Sequence, residues 1–203
     1  MASSSSRSSS SSSTQRQPQP YQDSFNPEYS CSPGPDDSTD SPEHKELWER
    51  VDSHFGGKLR PGQRKVFTLL LEGKDVVLRA PTGWGKSRIF QGFRLLFGTK
   101  ERPVPKVGIT IILTPLKGLA QSQVSELNDS KMKGGQAATA IFLSGDSTFK
   151  DLRDTANGVY YMVYISPEKA NNADVNRLLW HNTDIRSKVI LIAVDEAHLV
   201  EEW

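Results

Sequence analysis

A short apolar run, Val76-Val77-Leu78, passes through Ala80-Pro81-Thr82-Gly83-Trp84-Gly85-Lys86-Ser87 into a segment with helical spacing. This stretch limits the possible folds more than any other. A strand that turns through glycines into a helix is a phosphate cradle: its backbone N–H groups point inward, and the helix N-terminus adds partial positive charge. At such a turn Lys86 is placed to reach β- and γ-phosphates, and the Ser87 hydroxyl to ligate Mg²⁺. The general pattern opens with glycine, and here Ala80 takes that place. An ordinary strand-to-helix loop with a surface lysine is the competing reading, and the rest of the chain decides between them.

Composition narrows the setting. Of the 203 residues 35% are apolar, which is low for a chain that is folded throughout. Much of the deficit lies in residues 1–42, rich in Ser, Gln, Pro and Asp. Such a tail buries too little apolar surface to offset its backbone entropy, so it reads as disordered, with its serines free to be modified or to meet a protein partner. The net charge of +1 gives no global field for a polyanion, so any nucleic-acid surface has to be a local patch. One cysteine, Cys31, excludes an internal disulfide, and no Cys/His cluster has zinc spacing. No apolar run approaches the roughly 18 residues of a membrane span, and no signal-peptide core is present. These features predict a soluble intracellular protein with no membrane contact.

Order is expected from residue 43. Ser41-Pro42 is a helix start, and Leu47, Trp48, Val51 and Phe55 recur at helical spacing. Arg60-Pro61-Gly62-Gln63 turns into a second amphipathic helix, which ends before the Val76–Leu78 strand. Ile89 to Phe97 gives a helix after the cradle, and Arg102 to Pro105 a loop. Ile109–Leu113, Ala140–Leu143, Tyr160–Ile165 and Val189–Val194 read as further strands, with helices after the first and third. Strands alternating with helices imply right-handed crossovers and a parallel, doubly wound sheet. Ligands in such sheets bind beyond the carboxyl ends of the strands, where every candidate motif after residue 79 lies.

The last strand runs into Asp195-Glu196-Ala197-His198. Paired acids there can serve a metal ion and an attacking water: Asp195 opposite Ser87 on Mg²⁺, and Glu196 polarising the water. An acidic helix start is the plainer reading of Asp-Glu alone, but the upstream cradle makes the pair a nucleotide site.

D-E-A-H at 195–198, P-T-G-W-G-K-S at 81–87 and R-P-G-Q at 60–63 resemble a superfamily 2 helicase. F-G-G-K-L-R-P-G-Q (55–63), T-P-L-K-G-L-A-Q-S-Q-V (114–124), F-L-S-G-D (142–146), Y-I-S-P-E-K (164–169) and D-E-A-H-L-V-E-E-W (195–203) narrow this to the RecQ family of 3′-to-5′ DNA helicases. The terminal Trp203 and the R-P-G-Q turn set it apart from RNA-directed DEAH-type helicases. The resemblance implies an α/β, RecA-like P-loop NTPase domain over residues 43–203, with ATP and Mg²⁺ as cofactors and DNA, single-stranded or at duplex junctions, as partner. It also implies a nuclear protein of DNA repair and recombination. It assigns Arg60 and Gln63 to the adenine edge, Pro81, Thr82, Gly83, Trp84, Gly85, Lys86 and Ser87 to the phosphates, and His198 to coupling between the nucleotide site and a partner domain. Pro115, Leu116, Lys117, Ser144, Gly145, Asp146, Ser166 and Pro167 fall on its single-strand track, with Lys117 and Lys169 as phosphate contacts.

Three departures stand out. Trp84 replaces a common glycine, the Phe-Gly to Arg-Pro spacing is one residue short, and Gly57 or Lys58 stands where an adenine-stacking aromatic is usual. The resemblance also implies that an S-A-T strand, lying between the strands that carry Lys86 and Asp195, would follow Trp203, as would a second RecA-like domain with its arginine finger. The expectation is therefore a fragment, incomplete at its C-terminus, poorly stable alone and unable to unwind DNA by itself. The alternative is an ATP- or nucleic-acid-binding module without turnover.

Overall fold

Four short strands pair in parallel in the order β2-β3-β1-β4: β1 (Ile109–Leu113), β2 (Ala140–Leu143), β3 (Met162–Ile165) and β4 (Val189–Val194). The structure, a computed structural model, describes residues 42–97, 108–132 and 139–202, all within the unit spanning 31–203. The expectations for the Ser-rich tail, the Arg102–Pro105 loop and Trp203 lie outside those residues. Among the described residues no helix is long and apolar enough to cross a membrane.

The helices are α1 (Pro42–Phe55), α2 (Pro61–Leu71), α3 (Lys86–Phe93), α4 (Lys117–Met132), α5 (Phe149–Ala156), and the short α6 (Pro167–Ala170), α7 (Ala173–Val175) and α8 (Thr183–Arg186). A 3₁₀ turn at Arg94–Phe97 extends α3, and a π-helical turn at Asn176–Trp180 follows α7. The chain steps from β1 past β3 to β2 and then returns, which puts connections on both faces of the sheet.

Strand periodicity sorts the core. Ile111, Val163 and Ile165 point to one face, where Leu152 of α5, Val175, Leu179 and Ile185 cover them. Ile112, Met162 and Tyr164 point to the other, under Phe90 of α3 and Ala120 of α4. A third cluster joins α1, α2 and α3 through Trp48, Val51, Phe67 and Phe93. Full burial of each such side chain contributes about 1.5–3 kcal/mol.

The strand expected at Val76–Leu78 does not form. Val76 and Leu78 pack inward against the third cluster, beside Ile190 and Leu191, while Val77 is 69% exposed. The segment has the alternation of a strand but no ladder, since β4 is the last strand of the sheet on that side among the described residues. Hydrophobic patterning reports which side chains are buried; a strand also needs a neighbour for its backbone. The fourth predicted strand is shorter than expected, starting at Met162 rather than Tyr160. Helix α5 was not foreseen. It carries two buried side chains, Leu152 and Thr155, and is started by Thr148, whose Oγ1 accepts from the Asp151 N–H at 3.2 Å.

Candidate functional site

The phosphate loop is shaped by Gly83 at φ 76° and Gly85 at φ 91°, left-handed conformations that side chains resist. Gly85 caps α3 without a side-chain partner, and the N–H groups of Gly85, Lys86 and Ser87 have no intramolecular partner among the described residues. Orphan donors converging at a helix start are what an anion needs. Lys86 Nζ donates to Ala80 O at 3.0 Å and Pro81 O at 3.5 Å, so the ammonium folds across the loop onto acceptors that phosphate oxygens can replace. Pro81 and Thr82 are exposed on the rim, and Ser87 lies half-buried in the first turn of α3. The loop chemistry fits a nucleotide phosphate chain.

The R-P-G-Q turn is fastened to this loop. Gln63 is 1% exposed; its Nε2 donates to Trp84 O and Gly85 O, both at 3.2 Å, and its Oε1 accepts from Arg60 N at 2.9 Å. Arg60 Nη2 reaches Gly83 O at 3.5 Å. Gln63 is thus a buried bridge between helix start and loop, rather than a side chain held open to solvent.

Asp195 and Glu196 follow the end of β4, and Asp195 lies within electrostatic reach of Lys86. The Asp195 N–H donates to Leu113 O at 2.9 Å, fixing the strand end, and Asp195 Oδ1 accepts from Glu196 N at 3.1 Å. Burial, and then the Glu196 charge, push the Asp195 carboxyl above its usual range, while Lys86 pulls it back down. A divalent cation beside Asp195 would relieve both penalties. Among the described residues no group of three or more His, Cys, Asp and Glu gathers to hold a metal, so Ser87 and Asp195 would need phosphate oxygens to complete a shell. Glu196 has φ 52°, the only positive φ at a non-glycine among the described residues, a backbone cost of roughly 1–2 kcal/mol. Its Oε2 lies 3.3 Å from Nδ1 of the exposed His198.

The three remaining motifs begin level with one another, because Leu113 and Leu143 both pair with Ile165. Leu116 and Lys117 are exposed and Pro115 is half-buried; Gly145 and Asp146 are exposed. Ser144, Ser166 and Pro167 are buried instead: the Ser144 N–H donates to Ser147 Oγ at 2.9 Å, Ser166 Oγ caps α6, and Pro167 opens that helix. Lys169 Nζ donates to Ser147 O at 3.1 Å, tying the loops after β2 and β3 together.

A profile of the DEAD/DEAH box helicase family matches residues 60–203. The chain belongs to that family. It is 33% identical over 148 residues to the ATP-dependent helicase SGS1 of Saccharomyces cerevisiae, covering 71% of this chain and 10% of the relative. It is 30% identical over 148 residues to the ATP-dependent DNA helicase RecQ of Haemophilus influenzae, covering 71% and 21%. It is 33% identical over 153 residues to the bifunctional 3′-5′ exonuclease/ATP-dependent helicase WRN of Mus musculus, covering 74% and 10%. The chain therefore spans a tenth to a fifth of these relatives' length. The crystal structure of the DUF1998 helicase MrfA bound to DNA and AMPPNP shares the fold, with a TM-score of 0.59 at 22% identity, covering 78% of this chain and 22% of that one.

Within this helicase-family domain, sequence reasoning missed Gln91 and Tyr164. Gln91 Nε2 donates to the buried Tyr164 hydroxyl at 3.4 Å, joining α3 to β3. Gln91 stands one helical turn after Ser87, and that spacing was the available signal.

Proposed function

We propose that residues 43–203 are the ATP-binding half of a RecQ-like DNA helicase. The observation that carries the reading is a glycine loop whose Gly85, Lys86 and Ser87 N–H groups have no intramolecular partner among the described residues at the start of α3, with the Lys86 ammonium folded across the loop. Mg²⁺-bound ATP supplies the transferable γ-phosphoryl group. The loop N–H groups and Lys86 hold the phosphates, Ser87 and Asp195 hold the cation, and Glu196 orients the attacking water. Arg60, exposed on the turn, is placed to meet the base, and Gln63 meets it on releasing its bonds to the Trp84 and Gly85 carbonyls. Exposed Leu116, Lys117, Gly145 and Asp146 offer a single-strand track, with Pro115, Ser144, Ser166 and Pro167 shaping the loops beneath it. Strand separation, 3′-to-5′ polarity, a nuclear location and a partner for the N-terminal tail are proposals of the same reading. So is pairing of the outer edge of β4 with a further strand.

The test is equilibrium binding of Mg²⁺-ATP to the full chain. Binding that is lost in Lys86→Ala, by at least about tenfold, supports the site. Equal binding by both chains overturns it.

A further inference from the structure

Phe149 opens α5 three residues beyond the F-L-S-G-D motif, and its ring is 49% exposed. Helical spacing puts it on the stripe of Leu152 and Ala156, which pack into the core. The first turn of α5 stands beside the loop that leaves β2, so this apolar stripe runs out among the loops that follow the strands. One turn on, the exposed Arg153 holds its guanidinium 5.9 Å from the centre of the ring, within cation–π range. This corner is level with the loop after β1, because Leu113 and Leu143 both pair with Ile165, and the two strands lie two spacings apart, about 10 Å. Lys169 of α6 fastens the loop in between by donating to Ser147 O at 3.1 Å, two residues before Phe149. The cations here are largely matched: Lys150 pairs with Asp154 at 3.1 Å, Lys169 lies within electrostatic reach of Asp151, and Lys117 within that of Glu168. The exposed Asp146 opposes phosphate further. A surface so balanced attracts a phosphate chain weakly, and a strand lying on it has to be held by its bases.

We propose that Phe149, braced by Arg153, is a stacking platform for an unpaired base, which lengthens the single-strand track beyond its motif loops to the start of α5. This rests on the single-strand reading of the loops after β1, β2 and β3. A half-exposed phenyl ring beside a guanidinium offers flat surface to another planar group, and every base has a π-face that fits it. The ring carries no donor or acceptor, so the platform holds a base without selecting which one.

The experiment measures equilibrium affinities of the full chain, at low salt, for two fluorescent strands of about 12 units: oligothymidylate, and a wholly abasic strand with the same phosphates. Phe149→Ala and Phe149→Leu are each expected to weaken oligothymidylate binding by about tenfold, the value of one lost stack, and to leave the abasic strand within about twofold. Leucine keeps an apolar side chain and no ring, so its loss reports stacking. Phe149→Trp keeps the wild-type affinity. The urea midpoint should stay put in all three variants, because residue 149 is half in water. If the abasic strand binds no chain, the bases alone carry the affinity and Phe149→Leu decides. Wild-type affinity for oligothymidylate in Phe149→Leu, or equal losses on both strands, overturns the platform alone. A wild-type chain that binds neither strand overturns the single-strand track and the platform with it.

Discussion

Strands β3 and β4 flank β1 on opposite sides, both parallel to it, and differ in nearly everything else. β3 is buried along its whole length, although it includes Tyr164. β4 is apolar throughout, yet Ile192 is 56% and Val194 46% exposed. The pairing of Ile111 with Ile192 and Leu113 with Val194 puts these two on the face that α5 to α8 cover over β3. Those helices reach Val189 at the start of β4 but leave Ile192 and Val194 open. A strand's burial is decided by what its neighbours bring, and its composition records the burial it is suited to. The half with full cover carries the exposed loop motifs after β1, β2 and β3, whereas the half with partial cover carries the acids and borders the phosphate loop.

The most direct way to break this comparison is to truncate matched side chains. Ile165→Ala, on the covered strand, is expected to cost about 2–5 kcal/mol through lost burial and the cavity left behind. Ile192→Ala on the open strand should cost under about 1 kcal/mol. Urea unfolding of both variants checks the ratio; equal losses would mean that β4 is covered in solution.

The same contrast explains how much was legible in the sequence. The strands at 109–113 and 189–194 were readable from β-branched runs, and 140–143 from a short apolar run before Ser144-Gly145-Asp146. Val76–Leu78 looked just as good and forms no ladder, because a sequence pattern says nothing about which edge a segment pairs with. Helix α5 was hidden by its polarity, Phe-Lys-Asp-Leu-Arg-Asp-Thr-Ala, although Thr148 and Asp151 at capping-box spacing announced it. At the site, Gly83, Gly85 and Lys86 were legible as a glycine turn into a helix, and Asp195 as an acid after a strand. The engagement of Gln63 with the loop carbonyls was not, since it depends on how α2 docks. Ser144, Ser166 and Pro167 carry the motif spelling of a track, and that spelling does not reveal that all three are buried.

Tyr164 sharpens the comparison through pH. Burial pushes its phenol up to about 12 from the ordinary 10.0, with the Gln91 hydrogen bond opposing. A folded-state value above the unfolded one stabilises fully below pH 10, and that contribution is lost as pH rises toward 12. Two units correspond to about 3 kcal/mol. Arg94 works in the opposite sense: burial lowers its guanidinium to about 10, and the cation sits 3.3 Å from the centre of the Tyr161 ring. The difference between wild type and Tyr164→Phe cancels the Arg94 contribution. From pH 9 to pH 12 the wild type should lose unfolding free energy relative to Tyr164→Phe; a difference that stays constant would remove Tyr164 as the alkaline-sensitive group.

A smaller effect separates the covered half from its own rim. Thr148→Ala removes the acceptor for the Asp151 N–H and the hydroxyl that donates to Asp151, and keeps the backbone N–H of residue 148, the larger of the two bonds that hold this carboxyl below its usual range. A lost N-cap costs about 1 kcal/mol. Serine in its place should restore most of this, and the Asp151 titration followed by NMR should move upward in the alanine variant only.

The smallest effect on folding is predicted at the open strand, and it carries the most information. Ile192→Lys places a charge on a side chain already more than half in water, so urea unfolding should shift by no more than about 0.5 kcal/mol. Among the described residues no strand pairs with the outer edge of β4, which lies beside two exposed β-branched side chains, the combination from which strands recruit further strands. A lysine blunts such an edge. Self-association, followed by sedimentation across a concentration series, should therefore fall in Ile192→Lys while stability holds. If both stay the same, the edge is inert. If stability collapses, Ile192 is buried in solution and the contrast between β3 and β4 disappears.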